Sequence, residues 1–281
     1  MARRTLVGTA ELAAHLSDWR VFDCRHDLVN PSIGADQYAQ SHLPGAAFAN
    51  LDRDLSAPKT GTNGRHPLPR PEDFLAWLGR QGLARTDTVV CYDQSGGTYA
   101  SRLWWMLRWV GHDDVAVLDG GFPKWVREGR PVTTEVPSFA PTSYAGTPDD
   151  SMHVSADWIV ARLGKPGMAV LDARTAQRYA GVGETIDPIG GHIPGALNRF
   201  YMENVGADGC LKPAAELREA FTKLLGATAP SELVQQCGSG VSACVNILAM
   251  EHAGLHGSRL YPGSWSEWCA DRSRPMVLKE A

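Results

Sequence analysis

This chain of 281 residues lacks the marks of several protein classes. None of its six cysteines stand in a C-x-x-C pair. Neither a zinc site nor a disulfide scaffold is therefore expected in a chain of this length. No run of about 18 apolar residues occurs, so neither a transmembrane helix nor a membrane partner is expected. There is no basic surplus: 27 lysines and arginines face 31 aspartates and glutamates, for a net charge of −4. Nucleic-acid binders usually carry the opposite balance, and no nucleic-acid partner is expected. Arg3 and Arg4 near the start are not followed by an apolar stretch, so no signal peptide is expected. Unpaired cysteines then point to a reducing, cytoplasmic location. A hydrophobic content of 43% with 21% charged residues suits a soluble globular protein of one large or two smaller domains.

Internal repetition selects two domains. Val21-Phe22-Asp23-Cys24-Arg25 returns as Val170-Leu171-Asp172-Ala173-Arg174, and Ser41-His42-Leu43-Pro44-Gly45-Ala46 as Gly191-His192-Ile193-Pro194-Gly195-Ala196. Val89-Val90-Cys91-Tyr92-Asp93 aligns with Leu233-Val234-Gln235-Gln236-Cys237, and Leu118-Asp119-Gly120-Gly121 with Leu260-Tyr261-Pro262-Gly263. The matches keep their order at a spacing of about 145 residues, which two copies of one domain explain and a short-period solenoid does not.

Within a copy, short apolar runs alternate with helical patterns. Glu11–Leu16 and Ser101–Val110 read as helices, and a third helix opens at Pro71, a residue favoured in the first helical turn. Val21–Asp23, Thr88–Tyr92 and Val115–Leu118 read as strands. This alternation predicts an α/β fold, with a parallel sheet covered by helices on both faces. Ligands of such sheets sit at the carboxyl ends of strands. From Pro131 to Asp150, several prolines and weak periodicity predict an extended connector.

Cys237 stands just past one such strand end. It follows Leu233-Val234-Gln235-Gln236, and the loop Gly238-Ser239-Gly240-Val241-Ser242-Ala243 leads into the helical run Cys244–Met250. Backbone N–H groups converge at a helix start and favour an anion. Gly238 and Gly240 let the loop curl so that successive N–H groups point inward. The thiolate is the reactive form of cysteine, and such a setting lowers its pKa. Cys24, Cys91, Cys210, Cys244 and Cys269 have no comparable setting and read as buried hydrophobes or surface residues.

The repeated His-Leu/Ile-Pro-Gly-Ala, the stretch Gly263-Ser264-Trp265-Ser266-Glu267-Trp268 and the Cys237 loop resemble the motifs of two-domain rhodaneses, the thiosulfate and 3-mercaptopyruvate sulfurtransferases. The resemblance covers nearly the whole chain. It implies two tandem rhodanese-like domains: a non-catalytic one over 1–135, a linker over 136–152 and a catalytic one over 153–281. Asp93 stands at the cysteine position of the first copy and cannot take up sulfur, so that copy is expected to be a scaffold that completes a cleft. Cys237 is expected to take a sulfur from a small donor as a persulfide and pass it to a thiol, a thioredoxin-like protein or cyanide, with no metal or organic cofactor.

The resemblance also implies site residues. The loop carries no charge and is similar to the mercaptopyruvate type, with Ser242 in place of a threonine. In that type a loop serine, a histidine and an aspartate work together. Ser239 and His66 match the first two, and Asp52 matches the third, with Asp54 two residues away as an alternative. Their role would be proton delivery to the leaving enolate, or its stabilisation. Gly238, Gly240, Val241 and Ser242 would bind the donor's sulfur end. Tyr99 would line the cleft, and Arg178 would hold the donor carboxylate. The family's second arginine is missing. Asp187 stands near its place, in a segment more similar to bacterial thiosulfate-type members. Pro262 replaces the usual aspartate before Gly263. Loop and segment thus point to different donors, with mercaptopyruvate favoured. A cysteine phosphatase would need an arginine six residues after the nucleophile, where Ala243 stands. A sulfur-relay module without turnover is the reading from another class.

Overall fold

The structure is a computed structural model and describes residues 5–278. It divides into two compact units, one holding the residues up to Ala57, Pro69–Asp149 and Val205–Leu211, the other Pro58–Leu68, Asp150–Asn204 and the residues from Lys212.

The first unit contains β1 (Leu6–Val7), α1 (Thr9–Ala14), β2 (Arg20–Asp23), α2 (Ile33–Gln40), β3 (Ala46–Phe48), α3 (Pro71–Arg80), β4 (Val89–Tyr92), α4 (Ala100–Trp109), β5 (Val115–Leu118) and α5 (Gly121–Arg127). Its strands form one parallel sheet in the order β1-β5-β4-β2-β3. The second unit contains α6 (Ala156–Val160), β6 (Ala169–Asp172), α7 (Ala176–Tyr179), β7 (Leu197–Asn198), α8 (Ala214–Leu225), β8 (Leu233–Gln236), α9 (Ala243–His252), β9 (Arg259–Leu260) and α10 (Ser264–Trp268). Its sheet is again parallel, in the order β7-β6-β8-β9. The counterpart of β1 is reduced to a single parallel bridge between His153 and Leu260.

Packing explains which segments took which form. All four residues of β4, β5 and β8 are buried, as expected of strands covered on both faces. Every residue of α4 is buried, and so are eight of ten in α9, so neither helix turns a broad face to solvent. By contrast, α8 is amphipathic and buries Leu217, Phe221 and Leu225 at four-residue steps. Each unit has its own core, around Leu12, Val90 and Trp125 in the first and around Val170, Trp265 and Trp268 in the second.

The repeated motifs are structural anchors. Arg25 forks onto Asp23, with Nη2 2.6 Å from Oδ2, and donates to the Ser41 carbonyl. Arg174 does the same to Asp172 at 2.6 Å and to the Gly191 carbonyl at 2.7 Å. The two histidines of the His-x-Pro-Gly-Ala motif stack on tyrosines: His42 on Tyr38 at 3.9 Å and His192 on Tyr179 at 3.8 Å between ring centres. Each bonds through Nδ1 to that tyrosine's own carbonyl. They hold a turn together.

The compact units do not follow the linear boundaries at 135 and 153. Residues 134–149 form neither helix nor strand, yet they are tied to the first unit. Thr142 bonds Gly79 and Leu83, the Tyr144 hydroxyl lies 2.7 Å from His112 Nδ1, and the Asp149 N–H donates to Trp109. Pro58–Leu68, early in the chain, belongs to the second unit, and Val205–Leu211 belongs to the first, where Leu211 N–H donates to Asp119. Among the described residues no helix is long and apolar enough to cross a membrane.

Candidate active site

Cys237 directly follows β8 at the carboxyl edge of the second sheet and is 2% exposed. Burial disfavours its thiolate. The Ser242 hydroxyl and the backbone N–H groups of Ser239 and Ala243 all bond to the sulfur and outweigh burial, so the thiol lies below its ordinary range. A thiol lowered in this way forms the nucleophilic thiolate more readily than an ordinary cysteine.

The loop is held from behind by the turn that starts α10. Cys237 N–H donates to Ser264 Oγ, which donates to the Tyr261 carbonyl. The N–H groups of Trp265 and Ser266 return to the carbonyls of Cys237 and Gly238. Trp265 is fixed by its indole N–H on the Ile189 carbonyl and by Arg174 over its ring. These bonds account for the Gly-Ser-Trp motif. Pro262 supplies packing here: its carbonyl lies where a Cβ on Gly240 would be, 2.2 Å away, and Gly240 has φ +74°. Only glycine fits that position.

Two arms bring further groups. Pro58–Leu68 carries Arg65 and His66, and the Arg65 N–H donates to Ser266 Oγ. His66 Nδ1 lies 2.8 Å from Ser239 Oγ, and both residues are buried. The other arm, 176–191, carries Arg178, Glu184 and Asp187. Together they complete a ladder of alternating charge. Asp172 pairs with Arg174, whose Nη1 is 3.9 Å from Glu184. Glu184 pairs with Arg178 at 2.9 Å, Arg178 with Asp187 at 2.8 Å, and Asp187 with Arg65. Burial opposes the Glu184 carboxylate, but Arg178 and the Ile186 N–H more than offset it and hold its pKa low. Burial lowers Arg65, and the neighbouring guanidinium of Arg178 adds to that. Both guanidiniums stand over Gly238: a Cβ there would meet Arg65 Nη2 at 2.6 Å and Arg178 Nη1 at 3.5 Å. Thiol, hydroxyls, imidazole and guanidiniums make a set of donors suited to an anionic ligand.

Known proteins share this plan. The rhodanese-like domain profile matches residues 8–128 and again 155–271. The chain belongs to the rhodanese family. It is 45% identical over 281 residues to a protein of Pseudomonas aeruginosa named "Probable 3-mercaptopyruvate sulfurtransferase", with 99% of each chain covered. It is 35% identical over 279 residues to the thiosulfate sulfurtransferase of Cricetulus griseus, covering 94% of this chain and 92% of that one. Among solved structures, the 3-mercaptopyruvate sulfurtransferase from Leishmania major superposes with a TM-score of 0.85 at 34% identity, over 95% of this chain and 75% of that one.

The two rhodanese-like units use one loop design for different ends. In the first, Asp93 takes the place that Cys237 has in the second and accepts from the N–H groups of Ser95, Gly97, Tyr99 and Ala100 at 2.7–3.0 Å. Burial raises its pKa, and those four donors partly offset the rise. The carboxylate fills its own nest. Asp52 and Tyr99 also lie in the first unit, both against the buried His26: Asp52 Oδ2 is 3.9 Å from Nε2, and the Tyr99 ring packs edge-on at 5.1 Å. Asp54 is committed locally, accepting from the Asn50 N–H and from Arg53.

Of the residues expected from the sequence, Cys237, Gly238, Ser239, Gly240, Val241, Ser242, Arg178 and His66 come together in the second unit. Arg65, Glu184 and Ser264 were missed. The signal for Arg65 was its place beside His66. The signal for Glu184 was its spacing from Arg178 on a short arm, a pattern that many surface pairs share.

Proposed function

We propose that this protein is a sulfurtransferase that moves a sulfane sulfur from 3-mercaptopyruvate, through a persulfide on Cys237, to a thiol or cyanide. In the first step the Cys237 thiolate attacks the donor sulfur. The S–S bond forms, the carbon–sulfur bond breaks, and its electron pair leaves on carbon as the enolate of pyruvate. That enolate needs a proton, and the Ser239 hydroxyl next to His66 is the group to deliver it. In the second step the acceptor thiolate, or cyanide, attacks the outer sulfur and releases Cys237 as thiolate. The loop N–H groups stabilise negative sulfur before and after.

One observation carries the choice of donor: the Ser239–His66 bond at 2.8 Å beside the nucleophile. Thiosulfate leaves as sulfite and needs no proton at carbon, so it would make no use of that pair. The relatives named for 3-mercaptopyruvate support the same reading. A thiosulfate enzyme is the second reading, favoured by Asp187 at the place of a carboxylate-binding arginine and by the relatives named for thiosulfate. A reducing compartment such as the cytoplasm suits an uncapped thiolate, and a small thiol or a thioredoxin-like protein suits the acceptor role.

Paired steady-state kinetics test the proposal, with each donor against cyanide and a dithiol. A kcat/KM well above that of thiosulfate is expected for mercaptopyruvate, and Cys237→Ala should abolish both activities. Preference for thiosulfate would select the second reading, and no turnover with either donor would leave a sulfur-relay module.

A further inference from the structure

The second unit holds a cleft of about 400 Å³ that neither Cys237 nor its loop lines. Its walls include Leu68, Val154 and Trp158, and Tyr261 and Glu267 bring polar groups to it. Two of those groups lack what burial demands. The Tyr261 hydroxyl is buried and makes no hydrogen bond. Burial, and then the nearby Glu267 carboxyl, push its pKa up. The Glu267 carboxyl folds back over Gly263, and a Cβ on that glycine would overlap it. Arg274 is the cation that acts on Glu267, but its guanidinium is engaged elsewhere. It donates to the Glu267 carbonyl at 2.7 Å and pairs with Asp271 at 3.6 Å. Burial therefore raises the pKa of Glu267, and Asp157 adds to the rise. Apart from Glu267, no lysine, arginine, aspartate or glutamate lines the cleft.

We infer that this cleft binds a small primary ammonium ion with an apolar body. The ammonium donates to the Glu267 carboxylate and to the Tyr261 oxygen. It so supplies a counter-ion to one group and a partner to the other, each of which is costly to leave alone. Leu68, Val154 and Trp158 cover the apolar body. Trp158 already carries the guanidiniums of Arg162 and Arg259 on its ring, at 4.0 and 4.5 Å, so it packs on the body and not on the charge. An anionic ligand of the same shape meets Glu267 and is rejected. The site is independent of the choice of sulfur donor.

The test is calorimetry of the full chain with 2-phenylethylamine as the probe and 3-phenylpropionate as its anionic counterpart. Saturable binding of the amine alone is expected. Glu267→Gln should weaken it about tenfold or more, the loss of one hydrogen bond to a charged group. Trp158→Ala should weaken it too, through the body. A pH titration adds a second reading. Protonation of Glu267 removes the charge that the ammonium needs, so affinity should fall as pH falls. His153 lines the cleft, 3.7 Å from Asp150, and gains charge over a neighbouring range, so the titration is repeated in His153→Gln. The fall should persist there. If Glu267→Gln does not fold, that titration and Trp158→Ala decide. No saturable binding of the amine, equal binding of the anion, or an affinity that ignores both Glu267→Gln and pH would overturn the inference. Each of these outcomes leaves the sulfurtransferase reading in place, since binding is measured without turnover.

Discussion

His66 Nδ1 and Ser239 Oγ lie 2.8 Å apart, although 173 positions separate them in the chain. Both are buried, so the pair is shielded from bulk water and can hold a proton near the reacting carbon. Ser239→Ala and His66→Ala should each lower kcat for mercaptopyruvate by about a hundredfold, the low end for a general acid. Thiosulfate turnover should fall much less. The role carried to Asp52 predicts the same bias for Asp52→Asn. Equal losses with both donors would remove proton delivery from the mechanism.

The Ser242 hydroxyl is one of three donors that hold the Cys237 thiolate against burial. Removing it takes away a stabiliser of the charged form, so the thiol pKa rises. The thiolate fraction then appears only at higher pH, and the acid limb of kcat/KM moves up. Ser242→Ala should lose more activity at about pH 6 than at about pH 9, and alkylation by iodoacetamide should shift in parallel. An unmoved limb would mean that the backbone N–H groups suffice.

Gly240 combines a left-handed backbone with a carbonyl in the space of its missing side chain. Gly240→Ala should displace the loop from Pro262. The strain of the left-handed conformation is about 1–2 kcal/mol. The larger effect should be on rate, since a 1 Å misplacement can cost about a hundredfold. A folded variant with wild-type kcat would show that the loop tolerates the shift.

Asp172 and Arg174 form an ion pair with both side chains at most 1% exposed. Asp172→Asn leaves Arg174 buried beside a neutral partner, and breaking such a pair costs about 3–5 kcal/mol. Urea unfolding should show a loss of that size. The equivalent change Asp23→Asn should do the same through Arg25, since that pair is equally buried. A loss below about 1 kcal/mol in either case would mean that water replaces the lost partner.

Much of the fold was legible in the sequence because its signals are local. β4 (Val89–Tyr92), β5 (Val115–Leu118) and β8 (Leu233–Gln236) are runs of apolar or buried residues that no other element could absorb. Pro71 opens α3 at the expected residue. The repeats fixed the two-unit plan, and their histidines then turned out to be stacked anchors. The stretch after Pro131 was legible as extended, but its attachment through Thr142 and Tyr144 was not, because those partners lie far away in sequence.

By itself, the sequence determined the duplication and the parallel sheets, and it pointed to Cys237 as the candidate nucleophile, with Asp93 at the same place in the first copy. Each depends on residues within a few positions of one another, where period, glycine spacing and helix starts act. Only the tertiary structure decided what the charged residues do. Asp187 reads alone as a missing arginine, and Arg65 as a surface charge next to a turn histidine. Their pairing depends on two loops that meet across 122 positions, where a buried carboxylate must find a cation. Neither composition nor spacing along the chain records such a meeting.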